Sequence, residues 1–271
     1  MSSCGFARRR PGLALLAAAV GAVAVTGCAT AGTPYASPTS RSASAGSTAA
    51  AAAPTAGALP TGSMTPLPAA AGQLTGSQLE SVLLPVADFP SGFAADSSGP
   101  VTSGGTLTPG PAKYPLASVG CSEFVQHLGS TGFGETAMAA DSVIGTNQAY
   151  DQVIYQFATA SEATAFVAGI QPLAGRCTSF TAPATTSTTA RFSLKATAGA
   201  AVAGRPAVEL VQTGIVSGSR VTLDTLLCAS GVDVFAASGV GLGTPAPASP
   251  TKEAIIYNLM KRQAAAAVLG G

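Results

Sequence analysis

The chain of 271 residues has no tryptophan, one histidine and only 9% charged residues. A single histidine, His127, cannot supply a histidine-rich metal centre, and no Gly-x-Ser-x-Gly turn is present to display a nucleophilic serine. A Ser-His-Asp triad would have to use His127, which lies on a predicted amphipathic helix and is expected to project to solvent. The sequence therefore predicts no catalytic residue, no metal site and no cofactor.

Basic residues are also scarce, and they are scattered. Arg8, Arg9 and Arg10 lie within the first 27 residues, and the rest of the chain has ten basic and twelve acidic residues, a net charge of −2. Only Lys261 and Arg262 are adjacent in that remainder. Binding of a phosphate backbone requires a clustered basic face. We therefore expect no nucleic-acid partner.

The apolar run over residues 13–25 follows the three arginines and ends in small residues before Cys28. A transmembrane helix needs about 20 apolar residues, so this run is too short for a permanent span. A basic segment, an apolar segment and small residues before a cysteine are typical of a bacterial lipoprotein signal. We predict that residues 1–27 are removed and that Cys28 is lipidated. A soluble secreted product, cut at the same small residues, is the alternative.

Lipidation would place the protein on the extracytoplasmic face of the cell membrane. Each buried methylene contributes about 0.8 kcal/mol, so two or three acyl chains give a firm anchor. Residues 28–72 begin with this cysteine and are otherwise rich in Ala, Ser, Thr and Pro, with too few large apolar residues to offset the entropy of ordering. They are predicted to form a disordered tether. Residues 73–271 are long enough for one domain with its own core.

Three cysteines remain once the leader is removed and Cys28 carries lipid. Cys121, Cys177 and Cys228 are an odd number for an oxidising compartment, so one disulfide and one free thiol are expected. The sequence leaves open whether Cys177 pairs with Cys121 or with Cys228. A zinc site that adds His127 to these cysteines is a further alternative, but the Cys-x5-His spacing is unusual for zinc.

The order of predicted elements indicates an α+β fold, in which an antiparallel sheet has helices packed mainly on one face and the other face is partly open, with room for a cleft. Thr159 and Glu162 form a capping box that begins a central helix, and Pro172 and Gly175 are expected to end it. Further helices are predicted at 77–84, at 121–128 and from residue 249 onward. Strands are predicted at 136–144, 149–158, 191–197, 206–216, 219–228 and 232–237.

Two of these strands are joined by Ser217 and Gly218, so their register follows from the turn. A two-residue hairpin pairs position i with position 435 − i. One face of the hairpin is assigned to the core, and its apolar residues are Val208, Leu210, Val221, Leu223 and Leu227.

The other face of the hairpin carries Glu209, Arg220 and Asp224. Glu209 is a diagonal neighbour of Asp224, which places the two about 7 Å apart. Carboxylates at that range perform acid and base chemistry in glycoside hydrolysis, whereas an ordinary solvated sheet face also carries such residues. An intermediate hypothesis is that Glu209, Arg220 and Asp224 line a cleft and bind a ligand.

The domain resembles the extracellular sensor domain of PknH-type actinobacterial serine/threonine kinases, which also occurs in free-standing lipoproteins. The resemblance runs from Leu79 to Val268. It rests on short segments and on the positions of the cysteines. The segments are residues 83–85 with 88–93, and residues 153–157 followed by 160–163. Cys121 begins a helix, Cys177 follows a helix, Cys228 precedes the last strand, and a final helix closes the domain.

The resemblance implies an antiparallel sheet with helices, a large cleft and a disulfide between Cys121 and Cys177. Two features depart from the family pattern. Leu173 stands where the family often has Trp, and the partner that the family provides for Cys228 is missing.

The function predicted from these observations is a non-catalytic sensor or binding module for a small-molecule or envelope-derived ligand. The alternatives are a hydrolase acting on envelope glycans through Glu209 and Asp224, and a scaffold that binds another envelope protein.

Overall fold

The fold is given by a computed structural model, which describes residues 64–67, 72–104, 116–184, 188–246 and 249–269. Cys28, the leader over 1–27 and most of the tether over 28–72 lie outside these residues. Within the described ranges, none of the helices is both long enough and apolar enough to cross a membrane.

Four α-helices and nine strands make up the described part of the domain. The helices are α1 (Gly76–Val82), α2 (Cys121–His127), α3 (Ala160–Arg176) and α4 (Ser249–Leu269), with a 3₁₀ turn at Val86–Asp88. The strands are β1 (Ala94–Ala95), β2 (Val101–Ser103), β3 (Ala137–Gly145), β4 (Gln148–Gln156), β5 (Phe180–Pro183), β6 (Thr189–Val202), β7 (Arg205–Val216), β8 (Ser219–Ser230) and β9 (Asp233–Leu242).

All of these strands belong to one antiparallel sheet, in the order β1-β3-β4-β9-β8-β7-β6-β5, with β2 paired to β3. Consecutive strands pair from β3 to β4 and from β5 through β9, and β9 also pairs with the much earlier strand β4. The predicted antiparallel α+β class is thus confirmed.

Helices cover both faces of the sheet, whereas the sequence predicted helices mainly on one. The first face carries Leu227 and packs against α2 and α3, with Phe124 and Ile170 in one buried cluster. The second face carries the adjacent Leu226 and packs against α1 and α4, with Leu79 and Ile255 in another. Successive strand residues point to opposite faces, so these neighbours belong to different clusters. An amphipathic pattern shows that a helix buries one stripe but not which side of the sheet receives it.

The central helix α3 begins as predicted and ends later than predicted. The Thr159 hydroxyl accepts a hydrogen bond from the Glu162 amide, and the Glu162 carboxylate accepts one from the Thr159 amide. The helix continues through Pro172 to Arg176 because Leu173 and Ala174 are buried in the core. Tertiary packing of this last turn outweighs the amide that proline lacks.

Candidate functional site

The β7–β8 hairpin has the register that the sequence predicted. Ser217 and Gly218 both have positive φ, 51° and 82°, which suits a two-residue turn that follows the twist of the strands. Val208 lies opposite Leu227, and Val211 lies opposite Asp224. Glu209 and Asp224 are therefore diagonal neighbours, and they lie on the second face, beneath α4.

Lys252 of α4 lies between these two carboxylates. Its Nζ donates a hydrogen bond to Glu209 Oε1 at 3.2 Å, and Asp224 Oδ1 lies 2.5 Å from the same nitrogen. The Lys252 side chain is 0% exposed, and the carboxylate side chains are 28% and 20% exposed. Burial raises the pKa of Asp224, Lys252 opposes this shift and Glu209 adds to it. The cluster consists of two ion pairs that attach α4 to the sheet.

Arg220 stands apart from this cluster. It is an exposed residue on the same face of β8, four positions before Asp224, which corresponds to roughly 13 Å along a strand. The structure thus brings together two of the three predicted ligand-binding residues and adds Lys252, which the hairpin register could not locate. Ligand binding by Glu209, Arg220 and Asp224 stays a prediction.

The cysteines are arranged as the resemblance implied. Cys121 and Cys177 form a disulfide that joins the start of α2 to the end of α3. Cys228 is a buried free thiol in the cluster of the second face. His127 packs edge-on against Phe133 at a centroid distance of 6.0 Å, so it is not fully projected into solvent. The zinc alternative does not fit this arrangement, because the disulfide occupies Cys121 and Cys177 and Cys228 lies in the cluster of the opposite face.

An open pocket lies on the first face, between α2 and the sheet. Its volume is about 620 Å³ including the space at its mouth. Tyr155 of β4 links the sheet to the end of α2, because its hydroxyl accepts a hydrogen bond from the Gly129 amide at 2.6 Å. Most of the wall is aliphatic and is formed by Val125, Leu128, Val153, Val221, Leu223, Ala236 and Val240.

A polar row crosses the first face of the sheet in direct register, and three of its four residues line the pocket. Thr225 of β8 lies opposite Ser238 of β9, which lies opposite Asp151 of β4, which lies opposite Ser142 of β3. The Thr225 and Ser238 hydroxyls are 2.9 Å apart, and the Ser142 hydroxyl donates to Asp151 Oδ1 at 2.8 Å. Pockets for small molecules characteristically combine apolar walls with a few placed polar groups of this kind.

Asp151 is the one carboxylate among the described residues that line the pocket, and it is 8% exposed. Burial raises its pKa to about 7. The hydrogen bond from Ser142 opposes this shift, and the nearby Asp96 and Asp141 add to it. The carboxyl group therefore changes charge near neutral pH.

Gln212 of β7 is a further buried polar residue of the pocket, with 3% exposure. Among the described residues, none forms a hydrogen bond with its side-chain amide. The amide atoms are not among the fully enclosed polar atoms that lack a partner, so they reach the open space of the pocket, where water or a ligand can satisfy them. Gln212 therefore presents an unused donor and acceptor to the pocket.

The hairpin register also carries a signal for Gln212 and Thr225. The rule that pairs position i with 435 − i places both on the face assigned to the core, because Gln212 pairs with Leu223 and Thr225 with Leu210. Polar residues on an otherwise apolar face indicate a buried polar site. Asp151 and Ser238 gave no such signal, because their alignment depends on the long-range pairing of β4 with β9.

We expect the domain to be more stable at pH 5 than at pH 8, because two of its carboxyl groups are buried. Asp151 has its pKa raised to about 7, and burial raises the pKa of Asp233 to about 6. The folded state keeps protons that the unfolded state has already released, so the free energy of unfolding falls as pH rises. Each such group contributes up to about 1.4 kcal/mol per pH unit in this window.

Urea titrations at pH 5, 6.5 and 8, followed by circular dichroism, measure this effect. Asp151→Asn is expected to reduce the slope, whereas Glu80→Gln, on an exposed residue of α1, should preserve it. An unfolding free energy that rises from pH 5 to pH 8 would contradict the expectation.

Comparison with solved structures finds the extracellular domain of PknH from Mycobacterium tuberculosis, at 15% identity and a TM-score of 0.45, over 70% of this chain and 96% of that one. It also finds an uncharacterized protein from Mycobacterium smegmatis, the Rv0999 ortholog, at 13% identity and a TM-score of 0.33, over 71% and 93% of the two chains. No protein-family model and no curated protein matches the chain. At these values the similarity does not assign the chain to a family.

Proposed function

We propose that the protein is a lipid-anchored, extracytoplasmic binding module that holds a small ligand in the pocket of the first face and performs no chemistry on it. The observation that carries this proposal is the pocket itself, in which aliphatic walls surround the polar row and Gln212. Its lining has the composition that is usual for small-molecule sites, with mostly apolar side chains and a few placed polar groups. The basic and apolar segments before Cys28 support the location.

The hydrolase alternative has less support from the geometry. Hydrolysis by paired carboxylates requires both groups to face the scissile bond. Glu209 and Asp224 instead bind the buried ammonium of Lys252 beneath α4. In the pocket, Asp151 has no second carboxylate among the described lining residues.

The scaffold alternative also has less support. Protein-binding surfaces present contiguous apolar patches. In the described part of the chain, the one large apolar side chain with high exposure is Ile215, at 64%, near the tip of the β7–β8 hairpin. A single exposed residue does not form such a patch.

Native mass spectrometry of the full chain, purified from its own envelope, tests the proposal. We expect a mature protein that begins at Cys28 with added acyl mass, together with a non-covalent small-molecule adduct. Leu223→Trp places an indole in the wall of the pocket and should reduce the adduct by at least tenfold.

Ile215→Trp is the matched control, because it adds the same ring at an exposed position outside the pocket. An adduct that persists equally in both variants would contradict the proposed pocket, as would a native chain without any adduct. An unmodified Cys28 or a retained leader would contradict the proposed anchoring.

A further inference from the structure

Asp151 lies at the pocket, and no described residue is a cationic partner for it. Both ion pairs among the described residues belong to Lys252, which is on the opposite side of the sheet. The charged groups that influence Asp151 are Asp96 and Asp141, and both are acidic. The titratable residues of α2, Glu123 and His127, are absent from the pocket lining.

A buried carboxylate without a cationic partner needs another interaction to replace its lost hydration. Removing an ion from water costs several kcal/mol unless a counter-ion or hydrogen bonds replace the hydration. Ser142 supplies one hydrogen bond, to Oδ1, and the aliphatic walls supply none. The remaining compensation comes from a proton, from water in the pocket or from a cation that enters it and replaces that water.

Gln212 is a second polar group that lines the pocket and is open to its interior. Gln212 lies on β7 and Asp151 on β4, with β8 and β9 between them, so three strand spacings of roughly 14 Å in total separate the two strands. The two polar groups thus lie toward opposite sides of a mostly aliphatic space. A ligand that satisfies both has a polar group at each end and an apolar body.

Building on the proposed function, we infer that the ligand carries a positively charged nitrogen on an apolar body, and that its ammonium group binds the Asp151 carboxylate. Gln212 hydrogen-bonds a second polar atom of the same ligand. Charge-assisted hydrogen bonds of this kind are about twice as strong as neutral ones. The pocket therefore selects an organic amine over a neutral or anionic molecule of the same shape.

Isothermal titration calorimetry with hexylamine and 1-hexanol tests this inference on the full chain. The two probes share an apolar body and differ in their charge. Hexylamine should bind more tightly at pH 8 than at pH 6 by roughly tenfold, because a carboxyl group with a pKa of about 7 ionises over that interval. 1-Hexanol should show no such gain.

Asp151→Asn should weaken hexylamine binding at pH 8 by at least tenfold and remove its pH dependence. Asp141→Asn is the matched control, since it makes the same change on β3, outside the pocket lining, and should retain the preference for the amine. Thermal unfolding of both variants verifies that they are folded.

The possible results separate this inference from the proposed function. Equal binding of both probes at both pH values would overturn the inference and leave a binding pocket. A native adduct without a basic nitrogen would overturn it as well, whatever the probes do. Absence of probe binding together with absence of a native adduct would overturn both.

Discussion

Replacing Cys121 and Cys177 together with alanine is expected to lower the free energy of unfolding by roughly 4 kcal/mol, according to the loop-entropy relation. The disulfide spans 56 residues of sequence, and the loop it closes contains β3, β4 and α3. It also holds α2 beside the end of α3, and α2 forms one wall of the pocket. Urea unfolding curves of the native and double-alanine chains measure the loss, and the native adduct should decrease with it.

The control for this experiment is Cys228→Ala. Cys228 is buried like Cys177 but has no disulfide partner, so its loss removes one small side chain and should cost only about 1 kcal/mol. Equal destabilisation by the single and the double substitution would show that the disulfide does not provide the expected constraint.

Lys252→Met is expected to lower the free energy of unfolding by about 3 kcal/mol. The substitution keeps the apolar stem in the interior but leaves Glu209 and Asp224 facing each other without a cation. The stability is therefore lost because two carboxylates lack a counter-charge where α4 packs on the sheet, and the loss exceeds that of an exposed surface contact. Urea unfolding at pH 7 measures it.

Two further variants identify the cause of this loss. Lys261→Met makes the same change at an exposed position of α4 and should have little effect. Adding Glu209→Gln and Asp224→Asn to Lys252→Met should recover most of the stability, because no unpaired charge remains. A triple variant as unstable as Lys252→Met alone would contradict the electrostatic explanation.

The local elements of the fold were predictable because their signals lie within a few residues of each other. The capping box at Thr159 and the turn at Ser217 each set a boundary or a register on their own. The sequence underestimated β6, which extends from Thr189 to Val202, because its later half is rich in Ala and Gly and carries a weak strand signal. Pairing with β7 keeps this half in the sheet.

The candidate site was only partly predictable, because it depends on contacts between distant segments. The register placed Glu209 near Asp224 correctly, but the ammonium between them comes from α4, which begins 25 residues after Asp224. The pocket instead lies on the face that the sequence assigned to the core. Asp151 and Ser238 meet there through the pairing of β4 with β9, and no short-range pattern specifies that pairing.

The position of β9 also governs how the sheet can be completed. Residues 233–242 lie between β4 and β8, so a chain synthesised from its amino end exposes two unpaired strand edges until this late segment emerges. Open edges of this kind invite pairing between neighbouring chains, and pairings between distant segments form slowly. Assembly of this domain would therefore await the last part of the polypeptide, and a translation product truncated before residue 233 would be prone to aggregate.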